Sequence, residues 1–155
     1  MRRALVACLL FLPVWAKAAL DAGGVALGAP ELRVKAAYPS AFCRPLEWSS
    51  RAADRRCDDG KARFAGIEAR ITFYLKKDSV EAFDVRFESR DSDQVAAFLL
   101  KRYGKPVYEE RSGKLTKLEW EDQPARAVFT SLADRRRASL LVYRGAFEEE
   151  IYKVR

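Results

Sequence analysis

The sequence predicts an α+β fold, with one antiparallel sheet of about five or six strands and two main helices packed on one face. Three observations lead there. Gly66 to Leu75 and Val80 to Glu88 alternate apolar and polar residues across a short polar turn, the period of two expected of half-buried strands. Gln94 to Tyr103 carries apolar residues at helical spacing and stops at Gly104, with Pro106 beyond. Alternation then returns after that helix, over Leu115–Trp120, Arg126–Leu132 and Ser139–Tyr143.

The start of the chain has a different logic. Met1-Arg2-Arg3 supplies positive charge, Ala4 to Trp15 is almost wholly apolar, and Ala16-Lys17-Ala18 has small residues two apart. That order predicts a cleavable secretory signal over residues 1–18, cut near Ala18, and hence a periplasmic or secreted protein. The apolar run is well short of the roughly 20 residues that span a bilayer. Leu5-Val6-Ala7-Cys8 resembles a lipidation box, but no apolar stretch precedes it. The expected organisation is a signal peptide (1–18), a flexible leader (19–24) and a single α+β domain (25–155), divisible into halves 25–90 and 91–155.

Within the domain, Val25-Ala26-Leu27-Gly28 reads as a short strand or tucked segment, and Pro30 opens a short helix ending before Pro39. Ser40 to Ala65 reads as irregular, with one helical turn inside Ser50–Arg56. It holds Cys43 and Cys57, an even pair that predicts a structural disulfide in an exported protein. Gly145 to Arg155 reads as a last short helix or an extension of the final strand. Helix followed by strands occurs twice, so a tandem helix-plus-sheet repeat is one reading of the order. Core candidates are Leu32, Val34, Ile71, Phe73, Phe83, Val85, Phe87, Val95, Phe98, Leu99, Trp120, Phe129 and Val142.

The chain has 29 Lys and Arg against 22 Asp and Glu, and no histidine. Losing Arg2, Arg3 and Lys17 with the signal takes 29 basic residues to 26, a net charge of about +4. That balance does not point to nucleic acid. The absence of histidine excludes Ser-His-Asp and Cys-His catalysis and every His-ligated metal. With both cysteines bonded, no thiol nucleophile is left, and no glycine loop is followed by Lys-Ser or Lys-Thr to cradle phosphate. No cofactor, metal or catalytic residue is therefore expected. Glu119, Glu121 and Asp122 flank Trp120, and acids beside an aromatic suit a glycan cleft; they also fit a solvated strand face, as Asp58-Asp59 and Glu148-Glu149-Glu150 fit a solvated surface.

Gly24-Val25-Ala26-Leu27-Gly28 followed by a helix, Pro39 and Cys43, and later Arg102-Tyr103-Gly104-Lys105-Pro106 with Trp120 one strand on, resemble small exported bacterial proteins of unknown function. Their layout is similar to the tandem helix-plus-sheet modules of the outer-membrane lipoprotein BamE and of secreted β-lactamase inhibitor proteins. The resemblance implies an antiparallel sheet covered on one face by helices, and work by protein binding. This chain departs from BamE in lacking a lipidation cysteine with an apolar segment before it.

These readings converge on an exported, non-enzymatic module that binds another envelope protein, with an acid-residue glycan hydrolase or a module for anionic lipid or cell-wall polymer as alternatives. The expected interface comprises Trp48, Arg51 and Arg55 in the disulfide loop, with Tyr74 and Arg86 on the outward side of the central hairpin beside Arg70, Thr72 and Asp84. Arg with aromatic residues is the composition of interface hot spots. Arg135-Arg136-Arg137 is expected at a hairpin tip.

Overall fold

The computed structural model describes residues 19–154, with side chains described to Glu150. The expected signal peptide lies outside the described residues. A hairpin of two short strands, β1 (Asp21–Ala22) and β2 (Val25–Ala26), leads into helix α1 (Glu31–Ala37). Four strands follow: β3 (Phe42–Pro45), β4 (Arg55–Phe64), β5 (Ile67–Lys76) and β6 (Ser79–Glu88). A 3-10 turn over Ser89–Asp91 opens helix α2 (Ser92–Tyr103). Four more strands, β7 (Tyr108–Ser112), β8 (Leu115–Asp122), β9 (Ala125–Leu132) and β10 (Arg137–Arg144), precede helix α3 (Phe147–Val154).

The protein is not the α+β fold of five or six strands with two helices on one face that the sequence predicts. The protein is mainly β, with an eight-stranded antiparallel sheet in the order β3-β4-β5-β6-β10-β9-β8-β7 beside the two-stranded β1-β2 sheet. Five or six strands were expected because β3, β4 and β7 carry no clean alternation. In β4 the inward residues run Cys57, Asp59, then Ala62 and Phe64, because a bulge between Asp59 and Ala62 shifts the register. Buried Asp59 serves that bulge, accepting hydrogen bonds from Ser40 Oγ at 2.7 Å and the Lys61 amide at 2.9 Å. The segment 40–65 is thus mostly strand rather than irregular, and no helix forms over 50–56. Strand β7 has no apolar face because it is a sheet edge, and its charged residues guard that edge against further pairing.

The element order is a helix and a four-stranded meander, twice over. The two meanders meet where β6 pairs antiparallel with β10. Strands β5 and β6 are joined through Lys77 and Asp78, both with positive φ, the conformation that suits a tight hairpin turn. Asp78 also caps α1, its Oδ1 accepting the Glu31 amide at 2.9 Å.

One face of the sheet, the inner face, holds the larger core. Ile71, Phe73, Phe83, Val85, Phe129, Leu140 and Val142 lie there with Val34 from α1 and Val95 and Leu99 from α2. Helix α2 reaches both meanders, with Phe98 on Phe64 at 5.5 Å and Tyr103 edge-on to Trp120 at 6.0 Å. Trp120 Nε1 donates to the Gly104 carbonyl at 2.9 Å, tying the helix end to β8. Leu32, expected in the core, is 78% exposed, because α1 is only about two turns long and turns Val34 to the core instead.

The helices do not all lie on one face. Helix α3 and the segment 46–54 cover one end of the opposite, outer face, through a second cluster of Ala52, Ala53, Tyr74, Ala82, Leu141, Tyr143 and Phe147.

Candidate interaction surface

The disulfide joins residues that face each other across β3 and β4. Cys43 and Cys57 are Cα partners, 3.9 Å apart, with an S–S bond of 2.01 Å. The short edge strand β3 is thereby fastened to the sheet, and the 44–56 loop is closed at its base. Glu31 lies close enough to both sulfurs that the three ligand atoms fall within 4.8 Å of one another. The sulfurs are bonded to each other and offer no thiolate, and Glu31 is held by Arg55 at 2.7 Å and Lys35 at 2.7 Å. This is a structural joint between α1 and β4 rather than a metal centre.

The expected interface residues separate into four groups. Arg55 reaches to the α1 side and is engaged with Glu31. Arg51 binds the start of α3, its Nε at 2.8 Å from Glu150 and its Nη2 at 2.8 Å from Glu149. Buried Glu150 also accepts from the Arg51 amide at 2.7 Å and from Ser50 Oγ, so this is the clasp that holds α3 to the loop. Tyr74 is 3% exposed under Phe147. Burial, and then the charge of Asp84, push its phenol above the ordinary value. Trp48, 39% exposed, and Arg86 present side chains outward, as does Arg51 beyond its bonds to α3.

Beyond α3, the outer face over β4, β5, β6 and β10 is uncovered by any described element. A groove of about 460 Å³ lies there, lined by Gly60, Lys61, Glu68, Arg70, Arg86 and Arg137 among others. It adjoins a second of about 330 Å³ that shares Gly60, Arg70, Arg86 and Arg137 and extends to Arg56, Asp58, Thr72 and Tyr74. Arg56 pairs with Asp58 in a charge-assisted bond, and its guanidinium lies 5.9 Å from the Tyr74 ring centre. Burial alone would raise the Asp58 carboxyl, but the Arg56 bond and the Thr72 hydroxyl at 2.8 Å outweigh it and hold the group below its ordinary value. Arg86 Nε lies 2.7 Å from buried Asp84.

Arg70 is expected from sequence on the outward side of the central hairpin with Arg86, and Arg137 at a hairpin tip with Arg135 and Arg136, but nothing local brings Arg137 to the other two. Their convergence depends on a one-residue bulge, which shifts the β5–β6 register between Tyr74 and Leu75 and sets Arg70 opposite Arg86. It depends also on the non-local β6–β10 pairing, which sets Arg137 opposite Glu88. The acids considered for glycan cleavage, Glu119 and Glu121, lie on the outer side of β8 and are paired, Glu119 with Lys117 at 2.6 Å and Glu121 with Arg126 at 2.8 Å. Among the described residues, no helix is long and apolar enough to cross a membrane.

No protein-family model and no curated protein matches the chain. Among solved structures, the chain is similar to a DUF4309 family protein, YjgB, from Bacillus subtilis subsp. subtilis str. 168. The TM-score is 0.45 and the identity 11%, over 75% of this chain and 78% of that one. No relation to BamE or to the β-lactamase inhibitor proteins is shown.

Proposed function

We propose that this chain is exported and works as a non-enzymatic binding module, docking a partner protein on the uncovered part of the outer sheet face. The observation that carries the reading is the groove over β4, β5, β6 and β10, left open beside a face that α3 otherwise closes. Phe42, opposite Asp58 on the edge strand β3, is 68% exposed, and Trp48, in the segment at the closed end of the outer face, is 39% exposed, large apolar groups of the kind that anchor interfaces. The N-terminal apolar segment and the disulfide support an oxidising compartment outside the cytosol. The hydrolase alternative finds less support, since Glu119 and Glu121 each have a cation partner on an ordinary strand face.

The test is site-specific photo-crosslinking in envelope extract. A photoreactive residue at Arg86 should form one stoichiometric adduct with a protein, and one at Lys101 on α2 should form none. Equal labelling from both sides, or no protein adduct from Arg86, overturns the reading. N-terminal sequencing of the exported form should begin near Ala19; a form that keeps residues 1–18 in the cytosol overturns the export.

A further inference from the structure

The open groove has an unusual charge arrangement. Arg70 on β5 and Arg86 on β6 are direct cross-strand partners, and like charges placed so are unfavourable. Arg137, on the adjoining strand β10, opens onto the same groove. Of these three guanidinium groups, Arg86 is neutralised by Asp84. Arg70 and Arg137 form no ion pair with a carboxylate among the described residues. Neighbouring strands are about 4.8 Å apart, so β5 and β10 are separated by about 10 Å, within the joint reach of two arginine side chains. Strand β6, with Arg86, lies between them, and on the β4 side of Arg70 the groove floor is open, since nothing lies within 4 Å of where a Cβ on Gly60 would sit.

Arginine is suited to carboxylates because its planar fork donates two parallel hydrogen bonds. The surroundings decide what carries the carboxylate. Asp58, Glu68, Asp84 and Glu88 also line the two grooves, so a dense polyanion or an anionic lipid surface would meet repulsion at each step. A ligand with two spaced carboxylates would not. In an extended peptide, residues two apart point the same way about 6.8 Å apart, a spacing that fits a pair of converging arginines.

We propose that Arg70 and Arg137 bind the two carboxylates of an acidic-x-acidic segment in an extended partner peptide. This rests on the docking reading above and names the chemistry of the partner. The probe is the acetylated, amidated peptide Ala-Glu-Ala-Glu-Ala, titrated into the mature chain and followed by NMR at the Gly60 amide and the arginine Nε–H groups. Shifts are expected at Gly60, Arg70 and Arg137, with Ala-Gln-Ala-Gln-Ala at least ten-fold weaker. Arg70→Gln combined with Arg137→Gln should weaken the peptide at least ten-fold with an unchanged spectrum elsewhere, whereas Arg135→Gln should leave binding alone. Equal affinity for the two peptides, indifference to the double substitution, or binding to phosphatidylglycerol vesicles without peptide binding each overturns the proposal. A protein adduct from Arg86 that persists undiminished in the double variant would refute this carboxylate site and leave the docking reading standing.

Discussion

The ring of Tyr74 on β5 meets the ring of Phe147 on α3 at 5.3 Å, and this contact closes one end of the sheet's outer face. Tyr143 approaches the same phenylalanine at 6.3 Å. A strand position that alternation assigns to solvent is therefore a core position. The surface left for a partner is shorter than the sheet itself.

Tyr74→Ala should accordingly cost about 3–5 kcal/mol, in the range for a buried aromatic truncated to alanine. Phe147→Ala should cost a similar amount, because it empties the same cluster. Chemical denaturation of the two variants and of their double checks this. The double should fall short of the sum, since the residues share one contact.

Leu32 and Val34 offer a contrast within one turn of α1. Leu32→Ala should change stability by no more than about 0.5 kcal/mol, as for an exposed site. Val34→Ala should cost about 2 kcal/mol, since Val34 is fully buried. Thermal melts of the two variants suffice to rank them.

Replacing both Cys43 and Cys57 by serine should destabilise the domain by about 3 kcal/mol. The unfolding free energy from denaturation in oxidising buffer should fall by that amount and then be insensitive to reductant. Peptide mapping of the unreduced parent should recover the two cysteines in one crosslinked fragment.

Acid should loosen the joint between α1 and β4. The hydrogen bonds from Arg55 and Lys35 hold the Glu31 carboxyl below its ordinary value of 4.5. A carboxyl whose folded value is depressed contributes its stability above the unfolded value. That contribution is lost as pH falls through the folded one. The melting temperature should therefore drop as pH is lowered below 4.5. Glu31→Gln should make that drop shallower without abolishing it, because Asp58 is depressed in the same direction.

Local sequence was sufficient wherever one strand or helix carries its own period. The β5–β6 hairpin, α2 with its stop at Gly104, strands β8 to β10 and the pairing of Cys43 with Cys57 follow from alternation, helical spacing and cysteine arithmetic. The hairpin tip read at Arg135–Arg137 likewise falls between β9 and β10, with Arg137 as the first residue of β10. What the tertiary structure alone decided depends on partners distant in the chain. Strands β3, β4 and β7 are strands because neighbours supply their hydrogen bonds, although a bulge, a proline and an exposed edge erase their apolar pattern. The sheet reaches eight strands because β6 pairs with β10, a contact between segments about fifty residues apart that no local period encodes. That same pairing, with a one-residue bulge in the hairpin, brings Arg70, Arg86 and Arg137 onto one groove. The docking of α3 then buries Tyr74, because a side chain's exposure is set by what later folds over it rather than by its place in the alternation.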